Sequence, residues 1–152
     1  MGLFLLILHS WLRWLVILLG LWAWISAFRH LLGDKQYLPA HRRSGLLFMI
    51  SCDVQLLVGI LLYFVDGWAS QWHNFSQTMA NATARFFTVE HEVMMILAWI
   101  LVHIGWSQVK KSSDASRKLS RSVIFFGIAL LLILLAIPWP FREVARPWLR
   151  TS

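Results

Sequence analysis

Cysteine is nearly absent: Cys52 is the only one in 152 residues. An intrachain disulfide, a Cys-x-x-Cys motif and a cysteine-ligated cluster are therefore excluded. Cys52 lies inside an apolar run, where a small buried thiol is expected. Charge is also scarce. Only 14% of the residues are charged, against about a quarter in a soluble domain, so lipid must cover part of the surface. Acidic residues are fewer still, seven against fourteen Lys and Arg, for a net charge of +7. That charge does not point to nucleic acid, because most basic residues sit in two short loops between apolar runs and leave no soluble basic face. A Gly-x-Ser-x-Gly elbow, a phosphate loop and a dinucleotide fingerprint are all missing. No internal repeat is visible.

What the chain has is apolar length. It is 59% hydrophobic, with ten Trp and ten Phe. Four runs, at about 3–28, 45–65, 86–106 and 123–139, are long enough to cross roughly 30 Å of hydrocarbon. Only helices satisfy their own backbone there. The first run is too long for a signal peptide and lacks a basic leading segment and a cleavage site, so it reads as a span. The fold class expected is an all-α membrane protein, a single domain over 1–152 forming an antiparallel four-transmembrane-helix bundle. The first connection carries Arg29, Lys35, Arg42 and Arg43, and the third carries Lys110, Lys111, Arg117, Lys118 and Arg121. These loops face the cytoplasm by the positive-inside rule, which puts both termini on the non-cytoplasmic side. The second connection begins at Asp66-Gly67 as a helix cap, and Trp68 and Trp72 anchor it in the interface. The tail 140–152, with Arg142, Arg146, Trp148 and Arg150, is expected to lie flat in the interface, and Pro147 precludes a long helix there.

Ionisable residues inside the spans are the functional signal, since each is costly in lipid. The fourth span has none and reads as scaffold. His9 lies about 9 Å into the first helix and His91 about 7–8 Å into the third, measured from the same membrane face. The two are level, and facing histidines are how a helical bundle holds a haem iron. Arg13, one turn below His9, requires a partner. Asp53, Glu92 and a haem propionate are candidates. Arg85, at the mouth of the third helix, suits a propionate. Thr88, Glu90 and Glu92 flank His91 and are placed to orient its ring. His103 is turned about 120° from His91; with His30 it would form a second site, against which stands a plain interfacial histidine. His41 and His73 fall in loops and read as solvated. Two non-haem possibilities compete: a copper or iron ion held by histidines with Glu90 or Glu92, and a proton path through Arg13, Asp53, Asp66, Glu90 and Glu92. The Glu-x-x-His signature of di-iron bundles is missing.

Three motifs carry a resemblance. His9-Ser10-Trp11-Leu12-Arg13-Trp14, Arg85-Phe86-Phe87-Thr88-Val89-Glu90-His91 and Ile137-Pro138-Trp139-Pro140-Phe141-Arg142 resemble small four-helix bacterial membrane proteins labelled cytochrome b, or cytochrome b561-like. The likeness runs over nearly the whole chain. It implies a b-type haem with His9 and His91 as axial ligands, Arg13 and Arg85 beside them, and electron transfer in a bacterial inner membrane. The chain departs from the two-haem b561 pattern, because the fourth helix has no histidine and His103 has the wrong rotation. One haem near the outer face is what the resemblance leaves.

The function expected is therefore a small b-type cytochrome passing single electrons, an electron carrier rather than a stand-alone enzyme. Its partners would be the lipid bilayer, a quinol or outer-side redox protein, and a larger respiratory or photosynthetic complex. The alternative is a non-catalytic accessory subunit of a membrane complex, in which His9, His91 and Arg13 serve only as helix-packing groups.

Overall fold

A computed structural model describes residues 1–150; most of these are helical and none is in a strand. Helix α1 spans Gly2–Leu32 and α2 spans Pro39–Val65. A short 3-10 turn, Trp68–Asn74, and two small helices, α3 (Phe75–Ala80) and α4 (Ala82–Arg85), fill the second connection. A π turn over Phe86–Glu90 joins α4 to α5, His91–Lys111, and α6 covers Ala115–Ala136. Four helical segments, Gly2–Leu32, Pro39–Val65, Ala82–Lys111 and Ala115–Ala136, are long and apolar enough to cross a membrane. That is the character of an integral membrane protein.

Each boundary has a local cause. Pro39 opens α2, where its missing N–H is not needed. His41 Nδ1 accepts the Leu38 N–H at 2.8 Å and completes that cap. The expectation that His41 is a solvated loop residue is thus overturned: it is 4% exposed. Gly67, at φ +78, takes the left-handed position after α2, which glycine adopts without strain. Asn81 caps α4 through the Ala84 N–H, and Asp114 caps α6 through the Arg117 N–H. The helices exceed the apolar runs at several ends, because capped and charged turns continue past the hydrocarbon. The last helix stops earlier than expected, at Ala136, just before Pro138.

Helix α1 packs on α2 and α6, and α5 packs on the same two. The core between them contains Phe48, Phe126, Ala23, Ala98, Val102 and Ala129. Small residues let the helices approach closely, as they do in lipid. A Cβ on Gly20 would lie 2.6 Å from Leu130 and 2.7 Å from the ring of Phe48. Gly20→Val should therefore destabilise the protein by about 1–3 kcal/mol through overpacking, read as a lowered thermal midpoint in detergent. The outward faces are the reverse of a soluble protein's. Phe4, Trp11, Leu15, Leu18, Trp22 and Ile25 form an exposed apolar stripe along α1, which suits contact with acyl chains.

Two ends of the molecule follow from side-chain contacts. At one, the start of α1 meets the end of α2, with Gly2 against Asp66 and Val65, and His91 at the start of α5 reaches Ala136 at the end of α6. At the other, His30 meets His41 and Trp24 donates to the Val123 carbonyl. Arg121 also meets Gln108 there.

Candidate functional site

The end that gathers Gly2, Val65, His91 and Ala136 holds the site. His9 comes from α1 and His91 from the first residue of α5, and their rings face each other with centroids 6.3 Å apart and planes at 66°. A π turn immediately precedes His91. Such turns insert one extra residue per turn and recur at functional positions; here it sets the rotation at which α5 presents its first side chain. Phe86 and Phe87, both in that turn, pack on the His91 ring at 5.7 and 6.3 Å.

The hydrogen bonds fix the state of His91. Its Nδ1 is 2.9 Å from the Ala136 carbonyl. A carbonyl only accepts, so Nδ1 carries the proton and Nε2 carries the lone pair. This is the arrangement of a metal-ligating histidine, with the far ring nitrogen oriented by a backbone carbonyl. The sequence assigned that task to Thr88, Glu90 or Glu92. The carbonyl comes instead from the end of α6, the helix read as mere scaffold.

His9 is held by α2. The Gln55 carboxamide donates to the His9 carbonyl at 3.1 Å and lies 3.2 Å from His9 Nε2. Gly59, one turn further along α2, leaves room for the ring: a Cβ there would stand 3.4 Å from His9 Cε1. Among the described residues, His9 Nδ1 is buried without a hydrogen-bond partner, as are Gln55 Oε1, Thr88 Oγ1 and Arg13 Nε. Buried polar atoms without partners are rare, and two of these four belong to the ring of His9 and the amide that touches it.

A cavity of about 630 Å³ borders both imidazoles, within the usual range for a small-molecule or cofactor site. Tyr63, Asp66, Trp68 and Leu149 line its mouth. A narrower apolar arm continues past Met95 and Ile133 to Cys52 and Trp99. Arg13, Glu92, Arg146 and Arg150 bring charge to its wall.

The remaining expected residues are distributed differently. Arg13 donates from Nη2 to the Trp148 carbonyl at 2.5 Å, so its partner is the tail rather than Asp53. Asp53 accepts from Trp99 Nε1 at 2.6 Å and pairs with His103 Nε2 at 3.3 Å. That pair ties α2 to α5. Asp53→Leu should cost roughly 1–2 kcal/mol, seen as a lower thermal midpoint with the His9 and His91 site intact. Arg85 pairs with Glu90 at 2.7 Å and donates to the Met79 carbonyl; it does not line the cavity. His30 contacts His41 while His103 contacts Asp53, so the two do not form a second site. Among the described residues no group of three or more His, Cys, Asp or Glu stands ready for a metal ion.

Over the described residues the tail folds back onto the end of the bundle; 151–152, the last part of the expected interfacial segment, lie outside the described residues. Arg13 and Trp14 both donate to the Trp148 carbonyl, Trp148 stacks on Trp14, and the Arg146 N–H returns to the Pro138 carbonyl. Arg146 and Arg150 thereby join the cavity. Burial, and then the charge of Arg150, lower the pKa of Arg146 from its ordinary value. The one signal for this in the sequence was the density of Arg and Trp after Pro138. No protein-family model matches the chain, and no curated protein or solved structure is significantly similar to it.

Proposed function

We propose that the chain is a b-type cytochrome of the bacterial inner membrane: an antiparallel four-helix bundle, both termini on the non-cytoplasmic side, holding one haem between His9 and His91 and passing single electrons. The facing imidazoles are the observation that carries this. A metal bound to one nitrogen of each ring, from opposite sides, would put the ring centres about 6 Å apart, with about 2 Å per metal–nitrogen bond and about 1 Å from each nitrogen to its ring centre. The observed 6.3 Å matches. The free lone pair of His91 and the adjoining cavity fit the same group; for His9 to ligate through Nδ1, its proton must sit on Nε2, with the Gln55 carboxamide turned so that Oε1 accepts it. The orientation rests on the basic loops around Arg42 and Lys111, which suit the cytoplasmic surface.

When bound there, a haem would supply one-electron chemistry, and His9 and His91 are the residues that would hold it. The chain's own residues do the rest. The Ala136 carbonyl holds the His91 proton on Nδ1 and so directs Nε2 inward. Gln55 fixes the height and orientation of His9. Phe87, Met95 and Ile133 exclude water and keep the site apolar, which tunes the potential of a haem. Because the site lies near one face, the chain cannot carry an electron across the membrane alone. It works with a quinol or a soluble redox protein on that side, as a subunit or partner of a larger respiratory or photosynthetic complex.

The test is a pyridine haemochrome assay on the purified full-length protein. One b-type haem per chain is the expected result. A colourless protein would overturn the proposal and leave an accessory subunit. Copper in elemental analysis would replace the haem with a two-histidine metal site.

A further inference from the structure

Asp53, Trp99 and His103 form a polar cluster that the imidazole site does not use. It lies deep in the spans. Asp53 is fourteen residues past Pro39 and twelve before Val65, about 21 and 18 Å along α2. His103 is twelve residues past His91 and eight before Lys111, about 18 and 12 Å along α5. The two side chains meet where these helices pack. Those of His103 and Asp53 stay 34% and 37% exposed, so a small ion can reach them.

The hydrogens of this cluster can be counted. His103 Nδ1 stands 3.1 Å from the Trp99 carbonyl. A carbonyl only accepts, so Nδ1 carries a proton. Nε2 of the same ring stands 3.3 Å from Asp53 Oδ1. A neutral ring protonated on Nδ1 aims its Nε2 lone pair at that oxygen, acceptor against acceptor. The contact is attractive only with a further proton between the two atoms, on the nitrogen or on the oxygen. Trp99 Nε1 also donates to Oδ1, at 2.6 Å, but an indole brings no charge.

Charge balance leads to the same place. A bare carboxylate at this depth is costly. No lysine or arginine stands near it along the packed helices: α2 has none after Arg43, α5 none before Lys110, α1 none between Arg13 and Arg29, and α6 none after Arg121. Arg13 is bonded to the Trp148 carbonyl instead. Other titratable groups are equally sparse. Cys52, a buried thiol, adjoins Asp53 on α2, and Tyr63 lies ten residues further along. Between Glu92 and Lys110 α5 has only His103, and neither Trp14–Phe28 of α1 nor Ser122–Ala136 of α6 has any. Compensation for Asp53 therefore falls to a proton shared with His103.

We propose that Asp53 and His103 bind one proton between them and so form a proton-binding site inside the membrane-spanning bundle. With the proton in place the pair is neutral overall and draws α2 to α5. Without it a lone pair faces a carboxylate, and the attraction becomes a repulsion. The proton belongs to the pair rather than to either residue. This is a single station and not a wire, since no acid or base follows it toward Arg43 on α2 or Lys110 on α5 apart from the adjoining Cys52. The site does not rest on the haem assignment.

The experiment uses the full-length protein, isotopically labelled in its histidine nitrogens, in detergent at about pH 8. A free imidazole, with its midpoint at about 6.5, is almost wholly neutral there. Nitrogen NMR shows which ring nitrogens carry protons, and infrared absorption shows any protonated carboxyl. The expected result is one proton on the pair, in either of two forms. One is an imidazole protonated on both nitrogens, whose signal is lost in H103Q and turns neutral in D53N. The other is a protonated-carboxyl band that is lost in D53N. W99F removes the indole but neither member of the pair, so it should shift the same signal without deleting it, and it makes the assignment if D53N or H103Q does not fold. A His103 ring protonated only on Nδ1 beside an ionised carboxylate would overturn the proposal. So would an imidazolium signal from His103 that is unchanged in D53N.

Discussion

Replacing His91 with alanine should abolish the six-coordinate haem spectrum altogether. His91 supplies a lone pair on Nε2 and no other described side chain is placed to substitute for it across from His9. The change also deletes the bond to the Ala136 carbonyl, but an interhelical hydrogen bond in a membrane averages only about 0.6 kcal/mol. Helicity and detergent solubility should therefore survive while the low-spin bands disappear. Added imidazole should enter the space left by the side chain and restore part of the spectrum. His9→Ala should behave alike. A reduced-minus-oxidised spectrum of His91→Ala identical to wild type would place the colour elsewhere.

The second large effect is expected at Gly59, which ligates nothing. A single Cβ there meets His9 Cε1 at 3.4 Å, an ordinary contact. Gly59→Ala should consequently retain haem. Gly59→Phe is different, because a ring at this position must enter the cavity beside His9 or displace the imidazole. Haem content in the purified protein should fall by about 100-fold or more, since displacing an axial ligand removes several kcal/mol of binding. Circular dichroism should remain that of the parent. The contrast between the two variants separates blocked binding from general damage: equal losses in both would mean that Gly59 matters only for helix packing.

The four apolar segments were legible because long, predominantly apolar runs have few other uses. The pairing of His9 with His91 was legible for an equally simple reason. Helical rise is fixed, so counting residues from a common membrane face gives depth. Two kinds of information were out of reach. The first is the backbone carbonyl as a partner. Arg13 finds the Trp148 carbonyl and His91 finds that of Ala136, and no side-chain pattern announces either. The second is local backbone geometry. The π turn before His91 and the return of the tail across the cavity depend on how loops settle against a finished core. Pro138 and Pro147 showed that helix could not continue, and said nothing of the direction taken. Asp53 illustrates a partial success. The 120° offset of His103 from His91 was correct helix arithmetic; what it did not reveal was that the offset aims His103 at Asp53 and Trp99. Arg85 was drawn toward the site because it is near His91 in sequence, but the short α4 helix turns it toward Glu90 and Met79 instead.

Electron paramagnetic resonance of the purified, oxidised protein tests the central claim most directly. Two imidazoles on one ferric haem force it into the low-spin state, and the angle between their planes shapes the signal. Rings at 66° should give the highly anisotropic low-spin signal of strongly crossed imidazoles, absent from the H9A and H91A variants. A high-spin signal in the wild-type protein, a low-spin signal that persists in both variants, or a copper spectrum would contradict a haem gripped between His9 and His91.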